Sequence, residues 1–111
     1  RFKVGKESAI VKSVIAYPNP FVEQATLQIE LVNEGEDVEV TTTIFDVSGN
    51  LVRSETQTIY NSDAILTTMT WNAATQHRQP VPAGVYVYRI VVKSLTRQQA
   101  QTVGGKLIKP K

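Results

Sequence analysis

The chain has no cysteine in its 111 residues. That excludes a disulfide framework and any thiolate metal site. It assigns no redox compartment, because a domain of this length buries an adequate core without covalent staples. There is a single histidine, His77. It sits in a Gln-rich, Pro-flanked loop with no second ligand beside it in sequence, so it reads as a solvated loop residue rather than a metal ligand or base. No apolar run approaches the roughly 18 residues of a spanning helix, so no direct membrane span is expected. Nothing has helical periodicity over a useful length. No signal peptide is visible, and a chain that opens on Arg1 rather than Met is expected to be a piece of a larger protein.

Acidic residues are absent from the second half. All ten lie between Glu7 and Asp63, whereas Arg78, Arg89, Lys93, Arg97, Lys106, Lys109 and Lys111 follow Ala64. Five basic against ten acidic residues give the first part −5, and the second part carries +7, for a net +2. Strands from the two parts lying side by side would cancel these charges. Alternatively, a basic surface near the C-terminus meets an acidic partner. Nucleic acid is not expected as a partner, because the cations are scattered and no recognition motif accompanies them.

What is present is a long β-rich stretch around which the chain is organised, Pro80-Val81-Pro82-Ala83-Gly84 followed by Val85 to Val92. Two prolines fix φ and remove donors, so the run cannot start inside a sheet. The eight residues after Gly84 are nearly all β-branched or aromatic, broken only by Arg89. Tyr86, Tyr88, Ile90 and Val92 share one face; Val85, Val87 and Val91 share the other. With both faces apolar, the expectation is a central strand covered on both sides.

Around it, residues 10–17 alternate loosely as a first strand, stopped by Pro18-Asn19-Pro20, after which Phe21 is expected to enter the core. Ala25, Leu27, Ile29 and Leu31 mark a half-buried strand, and Val38, Val40, Thr42 and Ile44 another. Gly49 in a polar cluster signals a hairpin into a strand from Leu51 to about Tyr60. Ile65, Thr67, Met69 and Trp71 share a face of the next strand, with Trp71 as core plug. Residues 72–79 read as an irregular polar loop. Thr102 to Lys109 reads as a final strand with a bulge or kink at Gly104-Gly105. About seven short strands with regular turns predict an all-β, immunoglobulin-like antiparallel sandwich, with Tyr86 or Tyr88 hydrogen-bonding at a corner. Residues 1–8 read as linker and residues 9–111 as the domain.

The residues offer little chemistry. Glu34, Glu36 and Asp37 miss the spacing of a calcium loop and read as a solvated acidic loop. Asp46, Ser48 and Asn50 are explained by turn capping. Ser48 has no histidine near it in sequence to make it a nucleophile. No enzyme, cofactor or metal site is expected.

Four blocks together carry a resemblance. They are Tyr17-Pro18-Asn19-Pro20-Phe21, Ile44-Phe45-Asp46-Val47-Ser48-Gly49-Asn50-Leu51-Val52, Trp71 leading to Val81-Pro82-Ala83-Gly84-Val85-Tyr86, and Gly105-Lys106-Leu107-Ile108-Lys109. In this order the chain, from about Ala9 to Lys109, resembles the type IX secretion system C-terminal sorting domain of Bacteroidetes. The resemblance implies an export signal recognised by an outer-membrane translocon and its shuttle protein. It also implies a surface sortase that cuts before the domain and attaches an N-terminal passenger at the cell surface after periplasmic transit. Two departures, Trp71-Asn72-Ala73 for the family's Trp-Asp-Gly and the ending Lys109-Pro110-Lys111, leave open whether the domain is cleaved or retained. The partner-binding residues expected are Gly104, Gly105, Lys106, Leu107, Ile108, Lys109 and Lys111, on a terminal edge strand beside the acid-free surface of Arg89 and Lys93. The alternatives are a spacer or carbohydrate-binding accessory sandwich and a hook-capping-type immunoglobulin-like domain. Carbohydrate binding would require exposed aromatics, whereas Trp71, Tyr86 and Tyr88 fall in strands expected to be buried.

Overall fold

The computed structural model describes residues 9–111. The expected linker, residues 1–8, lies outside them. Seven strands form two antiparallel sheets, and no helix occurs among the described residues. The three-stranded sheet has the order β1 (Val11–Tyr17), β2 (Ala25–Leu31), β5 (Ile65–Trp71). The four-stranded sheet has the order β4 (Leu51–Ile59), β3 (Val38–Asp46), β6 (Gly84–Ser94), β7 (Gln99–Lys109). This is the immunoglobulin-like sandwich expected from the strand pattern.

Alternation places the core. β2 and most of β3 bury every second residue, so Leu27, Ile29, Val38, Val40 and Ile44 meet between the sheets. Trp71 and Phe21 are completely buried, with ring centroids 5.7 Å apart, and Tyr86 meets Trp71 edge-on at 5.2 Å. The indole N–H donates to the Ala74 carbonyl at 2.8 Å, so the tryptophan is buried without an unpaired donor. Of the two candidate tyrosines, Tyr86 makes the corner: its hydroxyl donates to the carbonyl of Pro82, four residues upstream in the segment that leads into β6.

Four local readings are corrected. The organising strand is central in its sheet but covered on one side only. Tyr86, Tyr88, Ile90 and Val92 are buried, while Val85 and Val87 are each 38% exposed. β-Branched residues satisfy a solvated pleat as well as a covered one, so composition did not reveal which face was open. In β5 the register slips between Leu27 and Gln28: Leu27 faces Met69 but Gln28 faces Thr67. The extra residue, Thr68, turns inward and donates to the Leu27 carbonyl at 3.3 Å. One inserted residue exchanges the faces, leaving Ile65 exposed and Leu66 packed on the core. The polar loop after Trp71 contains two buried alanines, Ala73 and Ala74, and Ala74 bridges to Pro80.

The fourth correction concerns Gly104-Gly105. The β6–β7 register runs unbroken from Gly84–Lys109 to Ser94–Gln99, so no bulge exists there. The glycines are explained by close approach. A Cβ on Gly104 would lie 2.4 Å from the Tyr88 carbonyl oxygen, and one on Gly105 would lie 2.7 Å from the Tyr88 hydroxyl. A backbone obstacle cannot swing aside, whereas the end of a ring can shift. Gly104→Ala is therefore expected to cost about 1–3 kcal/mol of stability, and Gly105→Ala less. Urea unfolding of the two variants checks the order; equal midpoints would refute it.

Candidate functional site

The expected partner-binding residues gather on one element. Gly104, Gly105, Lys106, Leu107, Ile108 and Lys109 all lie on β7, opposite Arg89, Tyr88, Val87, Tyr86, Val85 and Gly84 of β6. β7 forms one edge of the four-stranded sheet. Alternation divides its side chains. Gly104, Lys106 and Ile108 are exposed, and Leu107 points inward and is completely buried. Lys111 follows the strand and is exposed.

The outer edge of β7 is partly occupied. The Asn19 side-chain amide donates to the Lys106 carbonyl at 2.8 Å and its oxygen accepts from the Ile108 N–H at 3.0 Å. The Phe21 N–H then donates to the Ile108 carbonyl at 3.1 Å. A side-chain amide here takes the place of a peptide group, and the Tyr17–Phe21 turn behaves as a short pairing segment across 87 to 89 residues of sequence. At the other end of β7, the Gln101 side-chain oxygen accepts from the N–H groups of Ile10 and Val11 at 2.8 and 3.0 Å. Sequence reading took Pro18-Asn19-Pro20 as a turn and missed both contacts. An asparagine held between two prolines was the available signal, since it presents a full amide on a fixed backbone.

Electrostatics follow the topology. β3 pairs with β6, so the acidic and basic halves of the chain do lie together. Lys93 meets Glu39 at 3.4 Å and Arg97 meets Glu36 at 3.0 Å. Glu36 is thus not the solvated loop carboxylate expected. Its side chain is only 13% exposed, and it accepts from the Ser94 hydroxyl at 2.7 Å. Burial works against its ionisation, but hydrogen bonds from Ser94, Arg97 and Asn33, with the Arg97 charge, outweigh this and hold the carboxyl below its ordinary range.

Asp46, Tyr86 and Tyr88 are also shifted by their surroundings. The backbone N–H of Asn50 holds the Asp46 carboxyl below its usual range; burial opposes this, and further bonds from the Asn50 side chain, Ser48 and Gly49 reinforce it. That is the capping expected, with Gly49 at φ 88° in the hairpin. Burial pushes the Tyr86 and Tyr88 hydroxyls up, with the Asp46 charge adding to the effect at Tyr86. His77 is exposed. No group of three or more metal-ligating side chains occurs among the described residues.

Residues 15–104 match the family described as the secretion system C-terminal sorting domain. The chain belongs to that family. The sorting domain is the C-terminal signal of type IX secretion, and domains of this kind are non-catalytic. They direct the protein that carries them to the cell surface or the extracellular space, which implies contact with the secretion machinery and attachment to an N-terminal passenger.

Among solved structures, this sorting domain is similar to part of dimeric latent PorU from Porphyromonas gingivalis, at 30% identity and a TM-score of 0.73. The match covers 87% of this chain and 9% of that one. It also resembles part of a β-glucuronidase from Parabacteroides merdae, at 13% identity and TM-score 0.68, over 92% of this chain and 13% of the enzyme. A family 76 glycoside hydrolase from a bovine Bacteroides thetaiotaomicron strain matches at 12% identity and TM-score 0.55, over 93% of this chain and 21% of that one. At such identities the glycosidases share the fold alone. No curated protein matches the chain by sequence.

Proposed function

We propose that the type IX machinery reads this sorting domain at its terminal strand, through Gly104, Gly105, Lys106, Ile108, Lys109 and Lys111. Leu107 contributes by anchoring that strand in the core. The observation that carries the reading is the position of β7, a sheet edge whose exposed Lys106 and Ile108 flank a fully buried Leu107. An edge strand offers backbone groups and alternate side chains to a partner strand. In this reading the partners are the outer-membrane translocon, its shuttle protein and the surface sortase. The domain crosses the periplasm with its passenger and itself performs no catalysis. The carbohydrate-binding alternative loses Trp71, Tyr86 and Tyr88, which are all buried, and keeps, among the described residues, only the exposed tyrosines Tyr17 and Tyr60, which lie at the ends of different strands.

Leu107 also decides how the test must be made. Deleting residues 106–111 would remove a core side chain together with the signal. Replacing Lys106, Ile108, Lys109 and Lys111 by serine leaves the core and the glycines intact. A passenger fused to this variant is expected to accumulate in the periplasm, while the domain still melts cooperatively within a few degrees of the parent. If the variant does not fold, Lys109→Ser with Lys111→Ser alone serves the same purpose. Unchanged surface delivery from a folded variant would overturn the reading.

A further inference from the structure

The solvent face of the four-stranded sheet combines exposed apolar surface with cations that no acid neutralises. From β6 it presents Val85, Val87 and Arg89, and from β7 Gly104, Lys106 and Ile108. Gly104 stands opposite Arg89. A shallow depression of about 400 Å³ there is bounded by Val87, Arg89, Thr102 and Lys106. A second depression, of about 380 Å³, lies against the same Val87 and Arg89 and is bounded by Phe45, Asp46, Val47 and Gly49.

The arginine between them is held in place. Its guanidinium carbon lies 4.9 Å from the Phe45 ring centroid, so it leans toward β3 and leaves the space over Gly104 open. Neither Arg89 nor Lys106 has a carboxylate within ion-pair distance among the described residues. The acids on this side are already engaged: Glu39 by Lys93, and Asp46 by its own turn. Two exposed valines at 38% and Ile108 at 42% surround the cations.

We propose that this face docks an acidic segment of a partner protein, with an apolar side chain over Gly104 and carboxylates meeting Arg89 and Lys106. Charge complementarity selects that occupant: the surface is apolar, positively charged and lacks a free acid. An anionic membrane is the weaker match, because lipid-binding patches gather about four to eight cations and this one holds two. The proposal rests on the reading that the terminal strand and its sheet are what the export machinery recognises.

The test uses the isotope-labelled domain and a synthetic peptide of alternating valine and glutamate, followed by NMR. Shifts are expected at Val87, Arg89, Gly104 and Lys106, and they should weaken as salt is raised. The same peptide with lysine for glutamate should leave them unmoved. Arg89→Gln with Lys106→Gln, both at exposed positions, should weaken binding about tenfold at an unchanged melting temperature. If that double variant does not fold, Lys106→Gln alone should weaken it several-fold. Equal shifts with both peptides, shifts confined to another face, or no shift at millimolar peptide would each overturn the proposal. So would phosphatidylserine vesicles that capture the domain while the acidic peptide does not. Absent binding, with delivery still lost in the tail variant above, removes the acidic partner and leaves the sorting role standing. Binding as expected, with delivery unaffected by the tail substitutions, supports the docking face and overturns the terminal-strand reading.

Discussion

Trp71→Ala is expected to lower the stability of the domain by about 3–5 kcal/mol, the usual cost of truncating a large buried aromatic. The indole is completely buried and touches Phe21 and Tyr86. Those rings come from the loop before β2 and from the start of strand β6, so a cavity at Trp71 loosens both sheets at once. The Ala74 carbonyl also loses its indole donor, and an unpaired buried acceptor adds to the cost. A domain of this size has roughly 5–15 kcal/mol in total, so the variant should unfold at a much lower temperature or fail to fold at all. Thermal unfolding followed by circular dichroism checks this. A melting point within a few degrees of the parent would mean that the ring is not the centre of the core.

Leu107→Ala is expected to cost about 2–5 kcal/mol, as for other buried leucines. Leu107 is completely buried opposite Tyr86, between two exposed residues of the same strand. The neighbouring changes Lys106→Ala and Ile108→Ala should each stay within about 1 kcal/mol, because their side chains face solvent. Chemical denaturation of the three variants gives the comparison. If Leu107→Ala were as mild as its neighbours, the strand would not be anchored as described. This contrast also separates two effects in any secretion assay. Loss of delivery in Leu107→Ala reports a strand that has come loose, whereas loss in the Lys106 or Ile108 variants reports a missing contact.

The residues themselves explain what could be read in advance. Strict alternation in Ala25–Leu31 and Val38–Ile44 carries its own answer, because each second residue can face only one way. Trp71 could be placed from the strand face it shares with Met69, and Phe21 as the apolar residue that closes a turn; both are completely buried, and Met69 almost completely. The bulge at Thr68 left no mark, since Thr67-Thr68 reads equally well on either face, and a one-residue slip is invisible until the pairing partner is known. The glycines at 104 and 105 were legible as special, but not as to why. Their reason lies in Tyr88, sixteen and seventeen residues earlier on the neighbouring strand. For the candidate site, β7 was expected to start at Thr102, but it starts at Gln99. Its exposed lysines were plain. The inward turn of Leu107 and the engagement of the edge by Asn19 were not, because both depend on contacts between the two ends of the domain.

That engagement has a consequence for timing. A polypeptide made or threaded from its N-terminus displays Asn19 long before Lys106 and Ile108 exist, and contacts across such separations close late. Until they close, the amide has no backbone to meet, and the last strand stays open to pairing with other copies. Once closed, the hydrogen bonds of Asn19 and Phe21 tie the first turn to β7 within one molecule. A chain in which they have not closed differs in shape at β7 from one in which they have.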